Sequence, residues 1–184
     1  MSDVSESGPT VPTLTTPQEW LTYLREYTEL AAQAGKFAKT WMGHEPASEE
    51  AVAEAEQRLG VQFPPSYRSF LLTTDGWDEA GCWIGLVYSC ADIAWLRDDT
   101  GWGQEFIDLY SDDDENDEYV KVFRQALKVT NGEDFWFLDP TDKGLGGEWA
   151  AYLFRPKYGE LERFTHFAEL WHENRRIMAM FAAE

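Results

Sequence analysis

Residues 47–76 read ASEEAVAEAEQRLGVQFPPSYRSFLLTTDG, and this stretch decides the fold. Ser48 followed by Glu49 and Glu50 starts a helix: a hydroxyl caps the free amides, and carboxylates favour the positive end of the helix dipole. Val52, Ala55 and Leu59 recur at helical spacing and share a face, and Gly60 ends the helix as a left-handed cap. Val61-Gln62-Phe63 is a short extended link. Pro64-Pro65-Ser66, with φ fixed by the rings, then launches a helix that presents Tyr67, Phe70 and Leu71 until Asp75-Gly76 stops it. From Gln57 to Trp77 the chain is therefore helix, rigid elbow, helix, turn.

Towards the N-terminus, Thr16-Pro17-Gln18-Glu19 is a helix opening with a capping box. Trp20, Leu24, Tyr27, Ala31, Ala34, Ala38 and Trp41 follow at alternating spacings of four and three, which predicts one helix from Pro17 to about Met42 with a buried stripe. Gly43, His44, Glu45 and Pro46 break the pattern, so residues 16–43 form an additional N-terminal helix. Met1 to Thr16 lacks Lys, Arg and an apolar block, which argues against a secretory signal, and residues 1–15 are expected to be a disordered leader.

Towards the C-terminus the periodicity changes. Cys82 to Tyr88 reads as a strand, Ser89 as the cap of a brief helix carrying Ile93, Trp95 and Leu96, and residues 98–118 as an acidic insertion or expanded loop. Ala126–Thr130 and Phe135–Leu138 flank Asn131-Gly132, a dipeptide suited to a tight hairpin turn. Gly144–Gly147 is a loop, Glu148–Phe154 and Leu161–Phe164 are strands, and a last helix near Thr165 offers Phe167, Leu170, Trp171, Ile177, Met178 and Phe181 for packing. Helices at the two ends and strands in the middle predict an α+β fold, a mostly antiparallel sheet flanked by helices in a single domain spanning residues 16–184.

Composition bounds the function. With 43% hydrophobic residues and nine Trp the chain can build a core without metal or disulfides, and no apolar run of about 18 residues spans a membrane. Cys82 and Cys90 flank one strand, too far apart for a disulfide, and are expected as free thiols in a reducing cytoplasm. The net charge of −19 argues against nucleic-acid binding, which needs clustered Lys and Arg. From Asp98 to Glu118 there are ten Asp/Glu and no Lys, Arg or His, so this stretch holds more than half of the net charge.

Catalytic signatures each fail at a required residue. No phosphate-binding G-x-x-x-x-G-K-[ST] occurs; Gly144, Gly146 and Gly147 lack the final glycine of a dinucleotide loop, which would fall at Trp149. His172-Glu173 would need a second histidine where Arg176 stands. Asp112, Asp114 and Asn116 match the start of a calcium loop, but Asp117 and Phe123 occupy its glycine and bidentate glutamate positions. No catalytic, cofactor-binding or metal-ligating residue is assigned.

The 47–76 segment resembles the N-terminal signature of the SUKH superfamily, the group of the yeast cell-wall regulator Smi/Knr and many bacterial immunity proteins. The likeness rests on Glu56, Leu59, Gly60, Phe63, Pro64, Pro65, Tyr67, Phe70, Leu71 and Gly76, with Asp75 where Asn is commoner, and extends weakly through Phe135–Asp139 and Phe164–Leu170, covering about 47–172. The resemblance implies a scaffold without catalytic residues that neutralises a cognate bacterial toxin, often a nuclease, by binding it. Nuclease toxins tend to be basic, so the expected contact residues are Asp98, Asp99, Trp102, Glu105, Asp108, Asp112, Asp113, Asp114, Glu115, Asp117 and Glu118. Trp102, Phe106 and Tyr110 are either apolar anchors for the partner or cover for the core. The alternative is a regulatory or scaffolding adaptor that uses the first helix as its partner-binding stripe.

Overall fold

The computed structural model describes residues 11–184, so the leader expected at 1–15 lies mostly outside the described residues. Residues 11–15 are held against the body of the protein: Leu14 is buried, and the Ser69 hydroxyl donates to the Thr15 carbonyl at 2.6 Å. Helix α1 (Pro17–Ala34) starts as read, with the Thr16 hydroxyl accepting from the Glu19 amide. It ends a full two turns before Met42, because Gly35 adopts φ 71 and terminates it. Trp20, Leu24, Tyr27 and Ala31 are its buried stripe, whereas Ala34, Ala38 and Trp41 are not buried.

Helices α2 (Glu49–Leu59) and α3 (Pro65–Thr73) reproduce the reading of the quoted segment. Ser48 caps α2 through the Ala51 amide, and Gly60 at φ 74 returns its N–H to the Glu56 and Gln57 carbonyls. Glu56 fastens the elbow by accepting from the Phe63 amide at 2.7 Å. Asp75 contributes its side chain, accepting from the Cys90 amide at 2.7 Å, while Gly76 supplies the left-handed backbone at φ 102. No neighbouring side chain caps α3; the buried Glu148 carboxylate does so from 82 residues away, accepting from the Ser66 amide at 2.9 Å and its hydroxyl at 2.7 Å.

Seven strands follow: β1 (Ile84–Val87), β2 (Ala94–Trp95), β3 (Leu127–Lys128), β4 (Thr130–Gly132), β5 (Phe135–Lys143), β6 (Trp149–Arg155) and β7 (Glu160–Phe164). The order β2-β3-β5-β6-β7 forms an antiparallel five-stranded sheet, and β1 pairs with β4 in a separate antiparallel ribbon. The helix expected after Ser89 is absent; the segment makes turns and then β2, which places Trp95 opposite Leu127. Asn131-Gly132 is not the hairpin turn. It pairs with β1, with the Asn131 side chain accepting from the Leu86 amide, and the chain reverses at Glu133-Asp134. At Gly132, φ is 146 and an added Cβ would lie 2.5 Å from the Trp83 carbonyl, so glycine is required there by close approach.

The largest departure is in the acidic segment, which is not a loop. Helices α4 (Trp102–Tyr110) and α5 (Asp117–Gln125), joined through a 3-10 turn at Asp114–Asn116, occupy the middle of the chain. Their presence follows from the sheet, whose strands alternate two apolar faces with period two. Trp136, Leu138, Trp149, Ala151 and Leu153 face one core, with α1, α2, α3 and the last helix α6 (Phe167–Ala182). Phe135, Phe137, Ala150, Tyr152 and Phe154 face the other, where Phe106 and Ile107 of α4 and Val122 and Phe123 of α5 cover them. The sheet is thus sandwiched between helices. Edge-on ring contacts such as Phe106 on Phe154 (4.9 Å) and Phe123 on Phe154 (5.0 Å) fill the second core.

Candidate partner-binding surface

The surface is built from the outside of the second helical layer. Gly103 lets α4 begin close to the preceding turn: a Cβ there would stand 1.7 Å from the Leu96 carbonyl. With Phe106 and Ile107 facing inward, Trp102, Gln104, Glu105, Asp108 and Leu109 face out. Asp112, Asp113, Asp114 and Glu115 are exposed on the connection, and Asp117 and Glu118 open α5.

All eleven expected contact residues except Asp99 are exposed. Several of the acids also shape the backbone. The Asp113 side chain accepts from the Glu115 amide at 3.0 Å, and Asp117 and Glu118 sit in the first turn of α5, where negative charge favours the helix. Asp99 is turned inward and bonds the buried Lys128 ammonium at 2.8 Å. Partial burial opposes its charge, but Lys128 and the Gly101 and Gly103 amides outweigh this and hold the Asp99 carboxyl below the usual range. Among the described residues, the other nine acids of the 98–118 stretch form no ion pair with a cation of this chain.

Anchoring and core-covering roles divide among the aromatic residues. Phe106 is buried, Tyr110 is half-buried, and Trp102 stacks on Phe106 with 54% of its surface exposed. Leu109, 71% exposed on the same helix, is the residue the sequence reading missed. Its signal is the seven-residue spacing from Trp102, which puts both on one side of a helix once that helix is recognised.

Elsewhere, reactive groups are engaged or masked. Cys82 and Cys90 are both free and buried, and burial pushes each thiol up to about 12, away from a reactive thiolate. Glu173 next to His172 is forked by Arg176, with contacts of 2.7 and 3.0 Å. A polar cleft of about 520 Å³ lies between α5 and β5–β7; in it Arg163 forks Asp142 at 2.9 and 3.0 Å, with the Tyr152 hydroxyl donating to the same carboxylate, while Glu118, Lys121 and Asp139 line it without an ion pair among the described residues. No helix among the described residues is long and apolar enough to cross a membrane.

A family model described as the SMI1 / KNR4 family (SUKH-1) matches residues 46–172. The chain belongs to this family. The SUKH-1 span runs from just before α2 into α6, so it takes in the elbow, the sheet and both acidic helices, and leaves α1 outside. α1 nevertheless packs on α3 and α6 through Trp20, whose ring meets Phe70 at 5.2 Å and Phe167 at 5.7 Å. Its apolar stripe is therefore satisfied within this SUKH-1 chain. No curated protein matches the sequence.

Proposed function

We propose that this SUKH-1 protein is an immunity protein that binds and neutralises a cognate basic toxin, such as a nuclease, through the outer face of α4 and α5. The single observation that supports this most is the combination of nine exposed carboxylates that pair with no cation among the described residues and an exposed Trp on a packed scaffold. A basic toxin gains complementary charge on approach, and desolvation of the indole adds short-range affinity. The adaptor reading loses its main support, since the α1 stripe it would use is buried. Binding, not turnover, is the activity on this reading: the described cysteines are masked and the His172-Glu173 pair is engaged by Arg176.

The test is co-expression with toxic products of the genes adjacent to the one encoding this chain, comparing wild type with Asp112→Asn, Asp113→Asn, Asp114→Asn and Glu115→Gln combined. Wild type is expected to protect growth and the fourfold variant to protect less. Equal protection, with equal salt dependence of binding, would remove the acidic surface from the mechanism.

A further inference from the structure

One side of α4 carries two large apolar residues that stay mostly exposed among the described residues. Trp102 and Leu109 stand seven residues apart, two turns or about 10 Å along the axis. Phe106, buried between them, stacks under the indole at 5.9 Å and 25°, and Phe135 lies 6.5 Å from the same ring. The Trp102 side chain is therefore braced from below, so little rotamer freedom remains to be lost on contact. Glu105 lies between the two apolar residues, and Asp98, Asp108 and Asp112 flank them, all exposed.

We infer that α4 docks as a helix in a groove, with Trp102 and Leu109 as anchors in an apolar cleft whose rims carry Lys and Arg. Anchors at i and i+7 line up on one side of a helix, which is how such grooves read a helix, and the acidic margin, with Glu105 between the anchors, selects basic rims. A second copy of this chain is a poor occupant, since each copy carries −19. Under this division of labour, Asp112–Glu118 steer the approach and α4 sets the lifetime of the complex. The inference rests on the toxin-binding reading above and adds the docking element and the chemistry of its receptor.

The experiment measures association and dissociation rates of the immobilised full chain with a basic, toxic product of an adjacent gene. Trp102→Ala and Leu109→Ser are expected to raise the dissociation rate by about tenfold or more while leaving association nearly unchanged. The fourfold Asp112–Glu115 variant is expected to slow association instead. Thermal unfolding of each variant separates loss of contact from loss of fold, and Leu109→Ser, altering a side chain that is mostly in water, keeps the test valid if Trp102→Ala is unstable. Should wild type bind while both α4 variants dissociate at the wild-type rate, the groove mode is wrong and the acidic-surface reading survives. In native cells, benzoylphenylalanine at position 109 should crosslink a basic protein, and the same group at Glu54 on α2 should not. If wild type binds no neighbouring toxin and position 109 captures no basic protein, both ideas fall together.

Discussion

Asp134 shows how one side chain sets a pH dependence. Burial in the β4–β5 reversal pushes its carboxyl up to about 6, with Glu133 and Glu160 adding to the rise and Arg155 opposing it. A raised carboxyl pKa means that the folded chain holds the proton more tightly than the unfolded chain does. Its stabilising effect is full below the unfolded value of about 3.9 and is lost as pH rises through about 6. Asp134→Asn is therefore expected to unfold at a higher temperature than wild type at pH 7, with the gap closing near pH 4; calorimetry at the two pH values checks this. His44 acts in the same direction in a higher window. Partial burial disfavours its charge, but the Asp78 carboxylate at 2.9 Å and the Asp75 carbonyl at 2.8 Å win, and its pKa is raised from 6.5. The stability that His44 contributes is present below about 6.5 and lost as pH rises through the raised folded value, so His44→Gln should flatten that part of the pH–stability curve.

At the level of elements, the elbow was legible because its determinants are local. Ser48, Gly60, Pro65 and Gly76 act on backbone within a few residues, and each does so in the structure. The Glu148 cap on α3 was not legible, since nothing in a residue just ahead of β6 announces a partner 82 positions away. Glu148→Ala leaves the buried Ser66 amide and hydroxyl without an acceptor and should cost about 2 to 3 kcal/mol in urea unfolding, with Glu148→Gln costing less because one acceptor oxygen remains. α4 and α5 were hidden by their own surface: the density of carboxylates suggested a solvated insertion, while Phe106, Ile107, Val122 and Phe123 supplied an apolar face. The apolar run Phe135-Trp136-Phe137-Leu138 held the missing clue, because a strand buried on both faces needs a second cover. Phe106→Ala, which empties the centre of that cover, should cost about 3 to 5 kcal/mol and loosen α4 before the first core, a difference that amide exchange resolved by residue would detect.

For the molecule as a whole, charge is unevenly assigned to structure. The internal ion pairs gather on the other elements and on Lys128–Asp99, leaving the α4–α5 face negative. Self-repulsion at −19 and the losses at Asp134 and His44 all weaken the fold as pH rises, so stability should be greatest on the acid side of neutrality and added salt should raise it near pH 8. The same charge distribution governs encounter with a partner. The candidate surface was legible as a charge run, whereas its apolar ridge emerged only when α4 placed Leu109 on the same side as Trp102.

The most direct measurement is the association rate with the basic toxin as a function of ionic strength, for wild type and for the fourfold Asp112–Glu115 variant. A steep decline with salt for wild type and a clearly shallower one for the variant is the predicted result. Identical slopes, or rates independent of salt in both, would contradict the claim that this face guides binding.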